Sequence, residues 1–264
     1  MTSENADAAP SVGWLGDDAR VRTESNRHIG VFRAIKLMFL LPRRGRGFWY
    51  SLAIDLLWPL LAVSTRLRFR GDLPKEGGLL LASNHLSNAD PVTVTAFALH
   101  AGRIPRFLAK SSLWKVPVIG SVARGGGHIP VERETAQARG AYHGAVDAVR
   151  RGECVLFFPE AGFSDDVDHW PSARVKNGVA RVALETGAPV VPVVNWGTHT
   201  LLPAKAKFPK LFPRKTIDIV TGDPVDLSDI TGTDREALNE ATRRIMAAIT
   251  DLLSELRGER PPVR

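Results

Sequence analysis

From residue 65 onward, short apolar runs alternate with segments of helical periodicity. Runs of Leu, Val, Ile and Phe bounded by Gly, Pro or Asn predict strands at 66–70, 78–83, 106–109, 128–131, 154–158, 190–195 and 216–220. Between them, apolar residues recurring every three or four positions predict helices at 91–100, 117–124, 134–151, 174–186 and 234–256. Strands that alternate with helices imply an α/β fold, a mostly parallel or mixed sheet flanked by helices. In such a sheet the chemistry gathers at strand ends and in the loops that follow them.

The pattern upstream is different. Two apolar helical stretches, 29–41 and 48–63, are separated by Pro42-Arg43-Arg44-Gly45-Arg46-Gly47. Neither is a clean span of about twenty residues. The second holds Phe48, Trp49, Tyr50 and Trp58 around a lone Asp55. This reads as a two-helix hairpin, with aromatic residues in it and basic residues at its ends, lying in a membrane interface. A hairpin packed on the core, or a true span, is the alternative. The expected organisation is a polar tail at 1–28, a membrane-docking hairpin at 29–64 and a catalytic domain with a C-terminal helix at 65–264.

Charge sharpens this picture. The chain of 264 residues carries a net charge of +7, and the excess is local. Residues 20–70 hold eleven Lys/Arg against two acids, whereas residues 1–19 hold four acids and no base. The polar, acidic start does not resemble a secretory signal. A basic, apolar and aromatic stretch fits an anionic membrane surface, hence a peripheral or monotopic protein on the cytoplasmic face of the cell membrane. Nucleic acid is the lesser reading, since no recognition module is present and the basic residues are not interleaved with a stacking platform. A single cysteine, Cys154, excludes an internal disulfide and a Cys-rich metal site. Within the apolar run 154–158 it reads as a small buried hydrophobe, not a nucleophile.

Candidate chemistry begins at Asn84-His85-Leu86-Ser87-Asn88-Ala89-Asp90, directly after the predicted strand 78–83. An imidazole there can take a proton from a hydroxyl near neutral pH, and a carboxylate five residues on can orient it. His85 is then the base and Asp90 its orienter. Asp90-Pro91 is also a good helix start, with Asp as N-cap and Pro at the first helical position. Three further segments stand at predicted element ends. Gly125-Gly126-Gly127-His128-Ile129-Pro130-Val131-Glu132-Arg133 brings an arginine that can fork onto phosphate or pair with Glu132 or Glu134. The glycines lack the Lys-Ser/Thr ending of a phosphate loop. Phe158-Pro159-Glu160-Ala161-Gly162-Phe163-Ser164 presents Glu160 on a turn, where it also reads as a solvated acid. Lys110 and Lys176 are cations near element ends, each also readable as a solvated charge. No Gly-x-Ser-x-Gly elbow and no zinc-spaced His/Glu pair occurs, which disfavours covalent serine and metal hydrolysis.

In this order the blocks resemble the glycerolipid acyltransferase family, typified by 1-acylglycerol-3-phosphate (lysophosphatidate) acyltransferases. His85 through Asp90 is similar to its His-x-x-x-x-Asp block, and Gly127 to Arg133 to the block ending in a phosphate-binding arginine. Phe158-Pro159-Glu160 resembles the start of Phe-Pro-Glu-Gly-Thr-Arg, and Val191-Pro192-Val193 the late Val-Pro block. Ala109 to Leu113 and Lys176 to Ala180 are similar as well. The resemblance implies acyl transfer from acyl-CoA or acyl-carrier protein to a lysophospholipid hydroxyl, with neither cofactor nor metal. It implies that Arg133 and Lys110 hold the acceptor phosphate, that Glu160 positions the acceptor or its cation partners, and that Lys176 and Gly162 line the substrate site. The chain departs from the family at Phe163, where an arginine is usual. Arg174 or Lys176 can substitute, or the acceptor carries another head group, such as that of a glycolipid shaped by His169-Trp170-Pro171. The rival readings are a non-catalytic lipid-binding member of the same fold and a hydrolase that directs the His/Asp pair at water.

Overall fold

The computed structural model describes residues 47–131, 138–160, 162–164 and 166–262. The chain enters as helix α1 (Phe48–Ser64) and runs into β1 (Thr65–Arg70) and β2 (Leu79–Ser83). Then follow α2 (Asp90–His100), β3 (Pro105–Lys110), a 3₁₀ turn (Ser111–Lys115), α3 (Pro117–Gly125), β4 (Ile129–Val131), α4 (Ala138–Arg150) and β5 (Cys154–Phe157). The last elements are α5 (Gly178–Thr186), β6 (Val190–Trp196), the single turn α6 (Thr198–Leu201), β7 (Lys215–Thr221) and α7 (Arg235–Arg257).

The seven strands form one sheet in the order β1-β7-β6-β2-β5-β3-β4. All neighbouring pairs are parallel except β6–β7, which is antiparallel. The sheet is therefore mixed, with a parallel centre. Central strands of this kind are covered on both faces and must be apolar throughout. In β2, Leu79, Leu80, Leu81 and Ala82 are all fully buried.

Side chains alternate between two cores. Leu79 and Leu81 of β2, Cys154 and Leu156 of β5, and Leu67 and Phe69 of β1 face α1 and α2. Leu80, Ala82, Val155 and Phe157 face α4, α5 and α7. Helix α7 is capped by Asp234, whose carboxylate accepts the amides of Glu236 and Ala237, both at 2.9 Å. It stops at Gly258 in the left-handed region, φ 65°. Its buried stripe is Leu238, Ala241, Ile245, Ile249 and Leu253, the spacing of one helical face.

The expected strands are all present, each within a residue or two of the expected ends. Two helical expectations change. Residues 174–177 are not helical, and α5 begins at Gly178; Lys176 instead donates its amide to the carbonyl of Pro159. Asp90 is not the N-cap of α2. That position is Ala89, and the Asp90 carboxylate turns back onto the residues before the helix. Of the two helices expected upstream, 48–63 corresponds to α1, while 29–41, the tail 1–28 and Arg133 lie outside the described residues.

Helix α1 buries Tyr50, Ile54, Trp58 and Leu61 but leaves Phe48, Trp49, Leu52, Leu56, Leu60 and Val63 exposed. It lies against α3 at a glycine contact. Gly47 donates its amide to Gly125 O at 2.7 Å, and a Cβ on Gly47 would sit 2.7 Å from the Gly125 Cα. Next to it, Leu113, Val116, Val118 and Ile119 around the start of α3 are also exposed. Among the described residues no helix is long and apolar enough to cross a membrane.

Candidate active site

The loop from β2 to α2 begins with a side-chain pairing that continues the sheet. Asn84 Nδ2 donates to the carbonyl of Asn195 at 3.1 Å, and Asn84 Oδ1 accepts the Asn195 amide at 2.8 Å. An asparagine thus takes over from backbone where β2 leaves β6, and both residues are buried. This fixes the height at which the next residue, His85, emerges.

His85 Nδ1 lies 2.8 Å from Asp90 Oδ2. The same oxygen accepts the amides of Leu86 at 2.5 Å and Ser87 at 2.8 Å. The other oxygen accepts Asn195 Nδ2 at 3.1 Å and Thr198 Oγ1 at 2.5 Å. Asp90 is wholly buried, where a carboxylate is tolerated only if its lone pairs are used. Five donors converge on it, which suits the ionised, acceptor-only form. Facing that acceptor, Nδ1 carries the imidazole proton and Nε2 carries the lone pair. The ring plane is set by Phe158, stacked at 4.2 Å and 23°, and by Phe163, edge-on at 4.6 Å. The His85 side chain keeps 17% of its surface exposed, so the dyad is held rigidly and still reached from outside.

Glu160 works from the other side. Its Oε1 accepts the backbone amide of His85 at 2.9 Å and its Oε2 the amide of Ser172 at 2.6 Å. Burial pushes its carboxyl above the usual carboxylate range, against the pull of these two amides. Ser164 donates its amide to the carbonyl of His85 at 2.9 Å. Glu160 is not the solvated turn acid that its peptide also allowed. It is a buried tie between the His85 loop and the segment after the Phe-Pro-Glu turn.

The structure draws together His85, Asp90, Glu160 and, through Phe163, the turn that carries Gly162. A side chain on Gly162 would meet open space. Lys110, at the end of β3, and Lys176, before α5, are exposed. Among the described residues neither shares a hydrogen bond or ion pair with the dyad. Lys176 borders a separate hollow of about 610 Å³ with Asn239, Thr242 and Arg243. Trp170 is buried in the second core, and Arg257 lies over its ring at 4.3 Å, which removes it as a wall for an acceptor.

Two other sequence features prove structural. His128 is stacked on Phe107 at 3.6 Å and edge-on to Tyr50. Burial, reinforced by the nearby Arg106, lowers it to about 3. The glycines before it allow close approach: a Cβ on Gly127, at φ 60°, would collide with the Arg106 guanidinium. Burial raises Cys154 to about 12, so it is inert. Sequence reasoning did not find Asn195 and Thr198, which hold the far side of Asp90. Asn195 had a weak signal, as a polar residue near the end of the apolar run Val190-Val191-Pro192-Val193-Val194.

The sequence model of the Acyltransferase family matches residues 66–196, a span that contains His85, Asp90, Glu160, Ser172 and Asn195 but not Thr198. The chain is 28% identical over 172 residues to the chloroplastic 1-acyl-sn-glycerol-3-phosphate acyltransferase BAT2 of Brassica napus, an alignment covering 63% of this chain and 47% of that protein. It is 34% identical over 128 residues to the lyso-ornithine lipid O-acyltransferase of Rhizobium meliloti, covering 47% of this chain and 38% of the relative. The chain thus spans less than half the length of these curated relatives. The crystal structure of the 1-acyl-sn-glycerophosphate acyltransferase PlsC from Thermotoga maritima superposes with a TM-score of 0.60 at 20% identity, over 87% of this chain and 89% of that one, and shares its fold. The matched family model and the run of curated acyltransferase relatives place the chain in the glycerolipid acyltransferase family.

Proposed function

We propose that the chain transfers a fatty acyl group from acyl-CoA to the free hydroxyl of a lysophospholipid, with 1-acylglycerol-3-phosphate as acceptor and phosphatidate as product. The observation that carries this reading is the His85–Asp90 pair, with five donors on the carboxylate and the His85 side chain still 17% exposed. In the proposed reaction His85 Nε2 removes the acceptor's hydroxyl proton as its oxygen attacks the thioester carbonyl. The new C–O bond forms, the C–S bond breaks, and the departing thiolate takes the proton back from Nε2. Asp90 stays ionised throughout and stabilises the imidazolium, the role of the carboxylate in a Ser-His-Asp triad. Arg133 and Lys110 are the proposed holders of the acceptor phosphate.

The apolar face of α1, continued by Val116, Val118 and Ile119, is the proposed contact with an anionic bilayer, on the cytoplasmic side. The test is release of free thiol from palmitoyl-CoA by purified protein in detergent, with and without lysophosphatidate. Acceptor-dependent release that His85→Ala reduces by about 10²–10⁴-fold is expected. Release that needs no acceptor would make the protein a hydrolase. Release that persists in the variant would sink the general-base assignment.

A second acceptor has specific support. Phe163, edge-on to His85, occupies the place of the arginine usual in this family, and one relative is named for a lyso-ornithine lipid. An acceptor with a head group other than a simple phosphate monoester is therefore the alternative to lysophosphatidate.

A further inference from the structure

Beyond the dyad, the sheet carries a second built feature on the face turned away from α1. In β1 the apolar Leu67 and Phe69 point into the core with α1 and α2, so Arg66, Arg68 and Arg70 form a row on the opposite face. Parallel pairing sets Arg68 beside Asp218 of β7, and antiparallel pairing sets Asp218 beside Trp196, the last residue of β6. The C-terminal end of α7 closes this corner. The result is a cleft of about 430 Å³ lined by Arg68, Arg70, Trp196, Asp218, Arg257 and Glu259.

Two observations indicate that the cleft is built for an anion. The first is Arg257. Its side chain keeps 9% of its surface exposed, and its guanidinium lies between the rings of Trp170, at 4.3 Å, and Trp196, at 4.5 Å. One terminal nitrogen donates to the Asp168 carbonyl at 2.6 Å and the other meets Glu259, so Arg257 is a fixed, positively charged wall of the cleft. The second is the Arg68–Arg70 row. The Arg68 side chain is 42% exposed and its approach to Asp218 is loose, at 3.8 Å, so its guanidinium fork is open to a ligand. Phosphate oxygens accept from a guanidinium fork in the required geometry.

The position of the cleft selects the ligand. It lies on the face of the sheet opposite α1, so it faces water when the apolar surface of α1 meets lipid. It also begins one residue from Asn195, at the strand end where His85 emerges. Trp196 and His199 stand between it and the dyad, their rings 4.8 Å apart, and Thr198 is bonded to Asp90. A ligand here is polar and phosphorylated, yet it must communicate with the reaction centre from some distance. An acyl-CoA has that shape: a phosphorylated adenosine joined to its thioester by a long flexible pantetheine arm. We propose that the Arg68–Arg70–Arg257 cleft holds the adenosine 3′,5′-bisphosphate end of the acyl donor, with the pantetheine arm running past Trp196 and His199 to His85. This inference rests on the acyl-CoA reading above and names the donor subsite.

The test uses the full chain in detergent, with two thioester donors that differ only in the nucleotide: palmitoyl-CoA and palmitoyl-pantetheine. Arg68→Gln/Arg70→Gln is expected to raise KM for palmitoyl-CoA on the order of tenfold per arginine, while KM for palmitoyl-pantetheine does not follow. An equal rise for both donors, or none for either, overturns the proposal. Titration calorimetry with adenosine 3′,5′-bisphosphate reads the site without turnover: wild type binds and the double variant does not. Trp196→Phe checks this independently, because nucleotide binding should change tryptophan fluorescence in the wild type and not in this variant. Binding that depends on these arginines, without thiol release from acyl-CoA with any acceptor, would sink the donor reading while keeping the nucleotide site. Normal acyl-CoA turnover without nucleotide binding would do the reverse. A wild type that turns over acyl-carrier protein but neither binds the nucleotide nor uses acyl-CoA would overturn both.

Discussion

Thr198 Oγ1 donates to Asp90 Oδ1 at 2.5 Å across 108 residues of sequence, from the turn after β6 to the start of α2. With Asn195 Nδ2 it occupies the oxygen that His85 does not use. The carboxylate is thus clamped from behind, and in the proposed reaction the hydroxyl acts by positioning Asp90. Thr198→Val keeps the shape and removes the donor. A hydrogen bond to a charged group contributes about 1.5–3 kcal/mol, so kcat should fall by roughly tenfold or more with KM for both substrates nearly unchanged. Thr198→Ser should restore most of it. Steady-state kinetics of the two variants decides: a loss confined to KM, or a serine variant as poor as the valine one, would remove Thr198 from the positioning role.

Glu160 binds two separate loops through one carboxylate, taking the amide of His85 on one oxygen and that of Ser172 on the other. Glutamine offers one carbonyl and one NH₂ group, so in Glu160→Gln one of the two amides must face a donor. Leaving a buried amide unsatisfied costs about 1–3 kcal/mol. The expected result is a lower denaturant midpoint with unchanged m-value, accompanied by a fall in kcat as the His85 loop loosens. If the variant is fully stable and only the acceptor KM rises, Glu160 contacts the acceptor, as the family resemblance implies.

These ties show which parts of the molecule are legible in its sequence. The strands were readable because a parallel central strand is apolar on both faces, and runs such as Leu79-Leu80-Leu81-Ala82 have no competing interpretation. His85 and Asp90 were readable because their partnership is local, five residues within one loop. Asn195 and Thr198 were not, because their contribution depends on β6 ending beside β2, a fact of strand order that no local pattern carries. Residues 174–177 looked helical because their composition continues the periodicity of α5. The Lys176 amide is instead taken by the Pro159 carbonyl, a tertiary bond before a helix that starts only at Gly178. The arginine cleft was invisible for the same reason: Arg68 and Arg257 meet only through the fold.

His128 gives the stability a pH dependence with a definite sign. Its folded value of about 3 lies below the ordinary 6.5 because burial and Arg106 oppose its charge. The folded state therefore refuses a proton that the unfolded chain accepts below 6.5. The contribution is fully present above pH 6.5 and is lost as pH falls toward 3, at about 1.4 kcal/mol per pH unit. His199, lowered to about 4 by burial and by His169, acts in the same direction over the upper part of that window. His128→Phe keeps the aromatic stack but forgoes the bond from the Phe107 amide to Nδ1, at a cost of about 1 kcal/mol at pH 7.5. Its denaturant midpoint should nevertheless fall less than that of the wild type between pH 7.5 and 5. Parallel slopes for the two proteins would contradict the assignment.

Phe163 tests what the site recognises in its acceptor. The ring is edge-on to His85 at 4.6 Å, and it stands where members of the family usually carry an arginine. An arginine fork there would bind a phosphate monoester and would leave a neutral or zwitterionic head group without a partner. Phe163 does the opposite, presenting an apolar edge beside His85. Phe163→Arg should therefore raise kcat/KM for lysophosphatidate relative to a lyso-lipid lacking the phosphate monoester, such as a lyso-ornithine lipid, by about tenfold, the equivalent of one charge-assisted hydrogen bond. Competition between the two acceptors in one reaction measures this ratio directly and is insensitive to a general loss of activity. An unchanged ratio would mean that the acceptor's head group lies away from residue 163 and that Arg133 and Lys110 set the preference. A fall would mean that Phe163 helps to seat lysophosphatidate itself, by packing against its glycerol and holding His85 in plane.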